Sequence, residues 1–254
     1  MDNFNNNWWD NFFDDIFANL LLERNNQEEL AKTTNFLIKE LNLTQGNTVF
    51  DQCCGSGDLA CELAKKGINV IGVDLCKTYI NRGIKKAEQE NLKVDFQVKD
   101  ALNFVTLKPC DAVLNWYTSF GYSDDDNINL KMLNCAYKSL KRGGYFILEY
   151  TNPAYIFQNF QEQKFFIQQF NNNKLTILKE SQVDLERGMF ISTWTYIFPD
   201  GSQEIKTGES RIYFAKDLKD MLLKCGFNNI QFMGDIDGNK LTKNSPRSIA
   251  IAQK

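Results

Sequence analysis

Two acids and a pair of glycines stand at spacings that could hold a ligand. Asp51 closes a short apolar run, Thr48–Phe50. Gly55-Ser56-Gly57 follow, and Asp74 closes a second apolar run, Val70-Ile71-Gly72-Val73. Glycines at 55 and 57 permit backbone angles closed to other residues and let a ligand touch the main chain. The first turn of a helix after them offers free N–H groups. An acid at the end of the second run can accept hydrogen bonds from both hydroxyls of a ribose. An acid at the end of the first run repels a pyrophosphate and suits a cationic ligand.

The elements that position these groups follow from the same stretch. An apolar run, a glycine loop, a helical face of Leu59, Leu63 and Ala64, a second apolar run and an acid make one βαβ unit. Two cofactor classes use such a unit: dinucleotides and S-adenosylmethionine (SAM). Asp51 favours SAM. At this point the chain resembles the class I SAM-dependent methyltransferases, whose apolar-apolar-acid-apolar-Gly-x-Gly-Ser/Thr-Gly motif lies over VFDQCCGSG. Gln52 replaces an apolar residue of that motif, and Cys53 replaces its first glycine.

The remaining chain reads as follows. Trp9, Phe13, Ile16 and Leu20 share one face of a predicted N-terminal helix, which either packs on the domain or covers a ligand. Glu28–Leu41 and Thr78–Glu90 are predicted helices, and Val94–Val98 and Asp111–Asn115 predicted strands. Ser123 or Asp124 should cap the next helix, whose inner face is Ile128, Met132, Leu133, Ala136 and Leu140. Tyr145–Tyr150 is a fifth strand. Residues 154–170 look helical. Lys174–Asp184, Met189–Phe198 and Gln203–Tyr213 are strand-like runs joined by Glu186-Arg187-Gly188 and Pro199-Asp200-Gly201-Ser202, an antiparallel meander. Its aromatics suggest a cap over the crevice; a structural appendage or a homodimer face is the competing role. Lys216–Cys225 is an amphipathic helix stopped by Gly226, and Ile230–Ile236 and Ser248–Ala252 are the last strands.

Two further segments extend the resemblance. Trp116–Tyr122, WYTSFGY, resembles a TSFGY stretch of one small-molecule methyltransferase subfamily, and Lys141–Glu149, KRGGYFILE, resembles its next turn and strand. The similarity runs from about Val49 to the C-terminal end. It implies a Rossmann-like seven-stranded α/β sheet, parallel apart from a final reversed strand, with helices on both faces and an inserted antiparallel β cap. One domain would span residues 1–254, with a helical lid (1–45), a SAM-binding core (46–153), the cap (154–215) and a C-terminal helix with the final strands (216–254).

The resemblance also implies where SAM lies. Its methionine end would sit near Asp51, Gly55 and Asn115, with Cys53, Ser56 and Gly57 completing the loop. The ribose would rest on Asp74, and the adenine near Leu75, Asp100 and Ala101. Trp9 and Arg24 are lid candidates, Arg24 for the cofactor carboxylate. On the acceptor side the candidates are Tyr117, Tyr122 and Arg211. A guanidinium at 211 would pair with an anionic acceptor, or else with Glu209 or Glu204 on an outer face. The expected reaction moves a methyl group from SAM to O or N of a small molecule, such as a sugar, nucleotide-sugar or natural-product precursor. Two alternatives stay open: an NAD-dependent oxidoreductase, and a non-catalytic SAM-binding or scaffold protein.

Composition bounds these readings. A chain of 254 residues with 43% hydrophobic content and 20 Phe can bury a substantial core. The net charge of −3 argues against a nucleic-acid partner, which normally needs a basic face. No apolar run is long enough for a membrane span, and the Asn-rich start, Asn3–Asn7, is unlike a secretory signal. Seven Cys without a C-x-x-C spacing, and no His, leave no mixed Cys/His metal site and suggest reduced, cytoplasmic thiols. Without His, any general base must be Asp, Glu, Tyr, Lys, Cys or water.

Overall fold

The computed structural model of the chain describes residues 8–22, 26–170 and 173–254. Arg24 and the Asn3–Asn7 tip lie outside the described residues. The central sheet contains β1 (Thr48–Gln52), β2 (Asn69–Asp74), β3 (Val94–Val98), β4 (Cys110–Asn115), β5 (Leu140–Thr151), β10 (Asn228–Met233) and β11 (Arg247–Gln253). Its order is β10-β11-β5-β4-β1-β2-β3. Only β11 runs against its neighbours, β5 and β10.

Alternation along the strands builds two cores. Val49, Leu114, Ile147 and Ile249 face α3 (Gln27–Glu40) and α4 (Asp58–Lys65). Phe50, Val113, Phe146 and Ala250 face the opposite layer, α6 (Asp126–Ser139) and α8 (Ala215–Lys224). A sheet buried on both faces must read as near-continuous hydrophobic strands, as β1, β4 and β5 do. Helix α5 (Lys77–Gln89) packs on β2 and β3 through Tyr79, Ile80 and Ala87. Among the described residues, no helix is long and apolar enough to cross a membrane.

After β5, the short α7 (Pro153–Gln158) leads into a second sheet of β6 (Gln163–Phe170), β7 (Asn173–Asp184), β8 (Met189–Ile197) and β9 (Gln203–Arg211). This is the expected inserted antiparallel sheet, with one strand more than predicted, and the residues lining the cavity described below come from outside it. Residues 163–170 pair along β7 as an antiparallel edge strand, whereas the sequence reads as helix. Phe165-Phe166-Ile167 favours a pleated surface, and pairing with β7 outweighs the local helical spacing.

The N-terminal stretch also departs from the expected single helix. It forms α1 (Trp9–Phe12), α2 (Asp15–Phe17) and one π-helical turn, Ala18–Leu22. Phe13 is extended because the Asp14 carboxylate accepts from the Phe17 N–H, capping α2 and breaking the run. Helix α6 is capped by Asp125, whose carboxylate accepts from the Asn127 N–H, one residue beyond the predicted caps.

Candidate active site

The order of the strands reverses between β2–β1 and β1–β4, and a cavity of about 460 Å³ opens at the carboxyl ends of these strands. Such a switch point is where open α/β sheets bind ligands. Asp51, Asp74 and Asp100 line it from the carboxyl ends of β1, β2 and β3. The loop Cys53–Ser56 forms part of its wall. Trp9, Phe13 and Phe17 of the N-terminal segment also line it, together with Tyr122.

Each loop glycine has a separate reason to be glycine. Gly55 has φ +56° and open space where a side chain would stand. Gly57 has φ +75°, and a side chain there would collide with the Phe96 ring. Gly57 therefore sets helix–strand packing and is not among the cavity-lining residues, unlike Gly55 and Ser56. Cys53 adopts φ 58° at the position of the motif's first glycine, a conformation costing a side-chain-bearing residue about 1–2 kcal/mol.

Asp74 is pre-ordered by backbone. Its Oδ2 accepts from Gly55 N–H and its Oδ1 from Cys76 N–H, both at 2.9 Å. Burial raises its pKa, and these two donors pull it back. Each oxygen keeps a further lone pair for a ligand hydroxyl. Asp51 differs. Among the described residues no group donates a hydrogen bond to its carboxyl, which is 3% exposed. Burial, then the charge of Asp74, push its pKa up to about 8. A cation placed beside it would reverse both effects. The Cys53 and Cys54 thiols are also pushed well up by burial and stay neutral at ordinary pH.

The other expected site residues fall in several places. Leu75, Asp100 and Ala101 line the same end of the cavity, and Asp100 also shapes its own turn by accepting from Leu102 N–H at 2.8 Å. Trp9, Tyr117 and Tyr122 line the cavity wall. Asn115 is fully buried behind that wall, its Nδ2 3.1 Å from the Met132 sulfur. Arg211 stands away from the cavity lining. It pairs with Asp126 at 3.2 Å and donates to the Arg187 carbonyl. Ser119, within the WYTSFGY segment, lines the wall, as do Cys54, Cys76, Lys99 and Met132, which the sequence did not single out for the site. Cys54, Cys76 and Lys99 adjoin residues that were singled out, which is the signal the sequence offers for them.

These residues fit SAM. An orphaned carboxyl suits its ammonium, a backbone-held carboxylate suits its ribose, and aromatic rings suit its sulfonium.

Comparison with known proteins agrees. Residues 49–144 match the family model described as a methyltransferase domain. A Bacillus subtilis protein named as a methyltransferase, YqeM, is 22% identical over 85% of this chain and 87% of its own. The crystal structure of a SAM-dependent methyltransferase from Clostridium acetobutylicum superposes with a TM-score of 0.77 at 19% identity, covering 94% of this chain and 96% of that one. The SAM-bound amino pentose methyltransferase CalS10 from Micromonospora echinaspora gives a TM-score of 0.68 at 14% identity, over 89% and 90% of the two chains. Apart from Trp9, Asp10, Phe13 and Phe17, the residues that line the cavity fall within the matched segment. Residues 49–144 thus carry the likeness to a methyltransferase domain, and the whole chain has the fold of the solved methyltransferases.

Proposed function

We propose that this chain transfers the methyl group of SAM to nitrogen or oxygen of a small-molecule acceptor, with an amine the best-supported choice. The observation that carries this reading is the set of three acids around one cavity roofed by aromatic residues. Asp51 would hold the ammonium, Asp74 the ribose and Asp100 the adenine amino group. SAM supplies an electrophilic methyl carbon with a good leaving group, so the protein's task is alignment and exclusion of water. Trp9, Phe13 and Phe17 would exclude water from above. Tyr117 and Tyr122 would face the acceptor. Burial holds the Tyr122 phenol well above its ordinary pKa. It would therefore orient the acceptor through its hydroxyl and leave proton removal to another group or to water.

Acids on the wall (Asp10, Asp51, Asp58, Asp74 and Asp100) outnumber its lysines, Lys77 and Lys99, which supports an amine over an anion. Arg211 is engaged with Asp126 and Arg187, away from the cavity. Asp10, exposed at the lid, adds a further negative charge to the lining. The amino pentose methyltransferase of the same fold is a precedent for such an acceptor. A test combines ligand binding with turnover. SAM and its demethylated product SAH should raise the melting temperature, and NAD should not. SAH should then form in the presence of members of an amine panel. Stabilisation by NAD with none from SAM would defeat the cofactor assignment. Turnover only with carboxylates or phosphates would defeat the acceptor assignment.

A further inference from the structure

Beyond the end of β4 the backbone is forced. Tyr117 and Thr118 are consecutive non-glycine residues with φ of 63° and 58°. Left-handed backbone at a side-chain-bearing residue persists only where its surroundings over-determine it. Here the constraint comes from behind the cavity wall. The Thr118 N–H donates to Glu149 Oε2 at 3.0 Å. Arg247 Nε lies 2.9 Å from Glu149 Oε1. The hydroxyls of Thr118 and Thr151 share a hydrogen bond at 3.1 Å, and Arg247 Nη1 donates to Thr118 Oγ1 at 3.4 Å.

Glu149 is 2% exposed and sits in β5, opposite Ile249 of β11. A buried carboxylate needs a charge partner and hydrogen bonds. Arg247 supplies the first, and Thr118 supplies one of the second. The beneficiary is the segment in front. Tyr117, Ser119, Gly121 and Tyr122 all line the cavity, whereas Glu149, Thr151 and Arg247 do not.

We propose that Glu149, clamped by Arg247, is a positioning residue that fixes the left-handed turn at Tyr117–Thr118 and thereby sets how Tyr117–Tyr122 meets the transferable methyl group. This rests on the reading of the cavity as a SAM site whose methyl lies at the end of β4. Glu149 acts through Thr118 and touches neither cofactor nor acceptor.

The test needs no identified acceptor. SAM and SAH differ only in the methyl group and the sulfonium charge, so the ratio of their affinities reports the wall that meets the methyl. Calorimetry on the full chain would compare wild type with Glu149→Gln, which keeps an acceptor for the Thr118 N–H and removes the charge that holds Arg247. The SAH dissociation constant should stay within about twofold, while the SAM-to-SAH ratio shifts by about threefold to tenfold. If Glu149→Gln does not fold by circular dichroism, Thr118→Gly serves, since it retains the N–H and lets the turn relax. It should shift the ratio in the same range. An unchanged ratio in a folded variant, or equal losses for both ligands, would overturn the proposal. Failure of the wild-type chain to bind either ligand is a separate outcome, and it would remove the cofactor assignment on which the proposal stands.

Discussion

A carboxyl group that keeps its proton to about pH 8 lies at the end of β1, and its titration should be measurable. The folded pKa of Asp51 is raised above the unfolded value of about 3.9. Its contribution therefore favours the folded state fully below about pH 4 and is lost as pH climbs toward 8. SAM's ammonium should pull the proton off. Binding at pH 7 is then expected to release a proton, and affinity to rise between pH 6 and 8. Calorimetry in phosphate and Tris, whose ionisation heats differ, would show a buffer-dependent enthalpy. Asp51→Asn should abolish that dependence and weaken SAM binding. A second expectation concerns Asp74→Ala, which removes hydrogen bonds to a charged acceptor worth roughly 1.5–3 kcal/mol each and should cut SAM affinity at least about tenfold. Both acids were legible in the sequence because each closes an apolar run beside a glycine loop. The surroundings of Arg211 were not. Its partner Asp126 lies 85 positions away on α6, and no periodicity links the two. The left-handed backbone at Cys53 was equally hidden, because cysteine carries no turn signal of the kind glycine does.

Among the elements, the N-terminal segment shows how one side chain can override a pattern. The spacing of Trp9, Phe13, Ile16 and Leu20 describes a continuous helix, yet Asp14 divides it by capping α2. The same carboxylate pairs with Lys206 of β9, and the Tyr79 hydroxyl donates to the Asp14 carbonyl at 2.9 Å. One residue thus joins the N-terminal segment to the second sheet and to α5. Asp14→Asn should preserve the N-cap but lose the ion pair. Hydrogen exchange over residues 9–20 is expected to speed up and SAM to dissociate faster, with protection of β1 and β4 unchanged. Equal exchange in this segment would mean that the ring contacts of Phe12, Phe13 and Phe17 suffice to hold it. The core strands were readable for the opposite reason. Their residues are buried on both faces, so nothing competes with the hydrophobic run. Strand β6 was not, because an edge strand has one partner only, and that partner, β7, decides its conformation.

At the scale of the whole molecule, ligand binding and stability are one equilibrium. SAM at about a hundred times its dissociation constant should add about 2.7 kcal/mol. For a chain of this size each kcal/mol moves the melting temperature by about 2–4 °C, so an upward shift of several degrees is expected in a thermal melt. The joint between the N-terminal segment and the core offers a more local reading of the same equilibrium. The Cys76 thiol, half-buried on the cavity wall, donates to the Phe13 carbonyl at 3.5 Å. Cys61, Cys110, Cys135 and Cys225 are buried in the body of the protein. Cys53 and Cys54 share the cavity wall with Cys76, so a maleimide should reach these three when the N-terminal segment lifts, and the labelling rate at Cys76 becomes a clock that counts openings. Saturating SAH should slow that clock, as read by mass spectrometry of the Cys76 peptide. An unaltered rate would mean that the roof moves independently of what lies beneath it. The thiol's position thus makes the chain its own reporter of how often the cleft is accessible from outside.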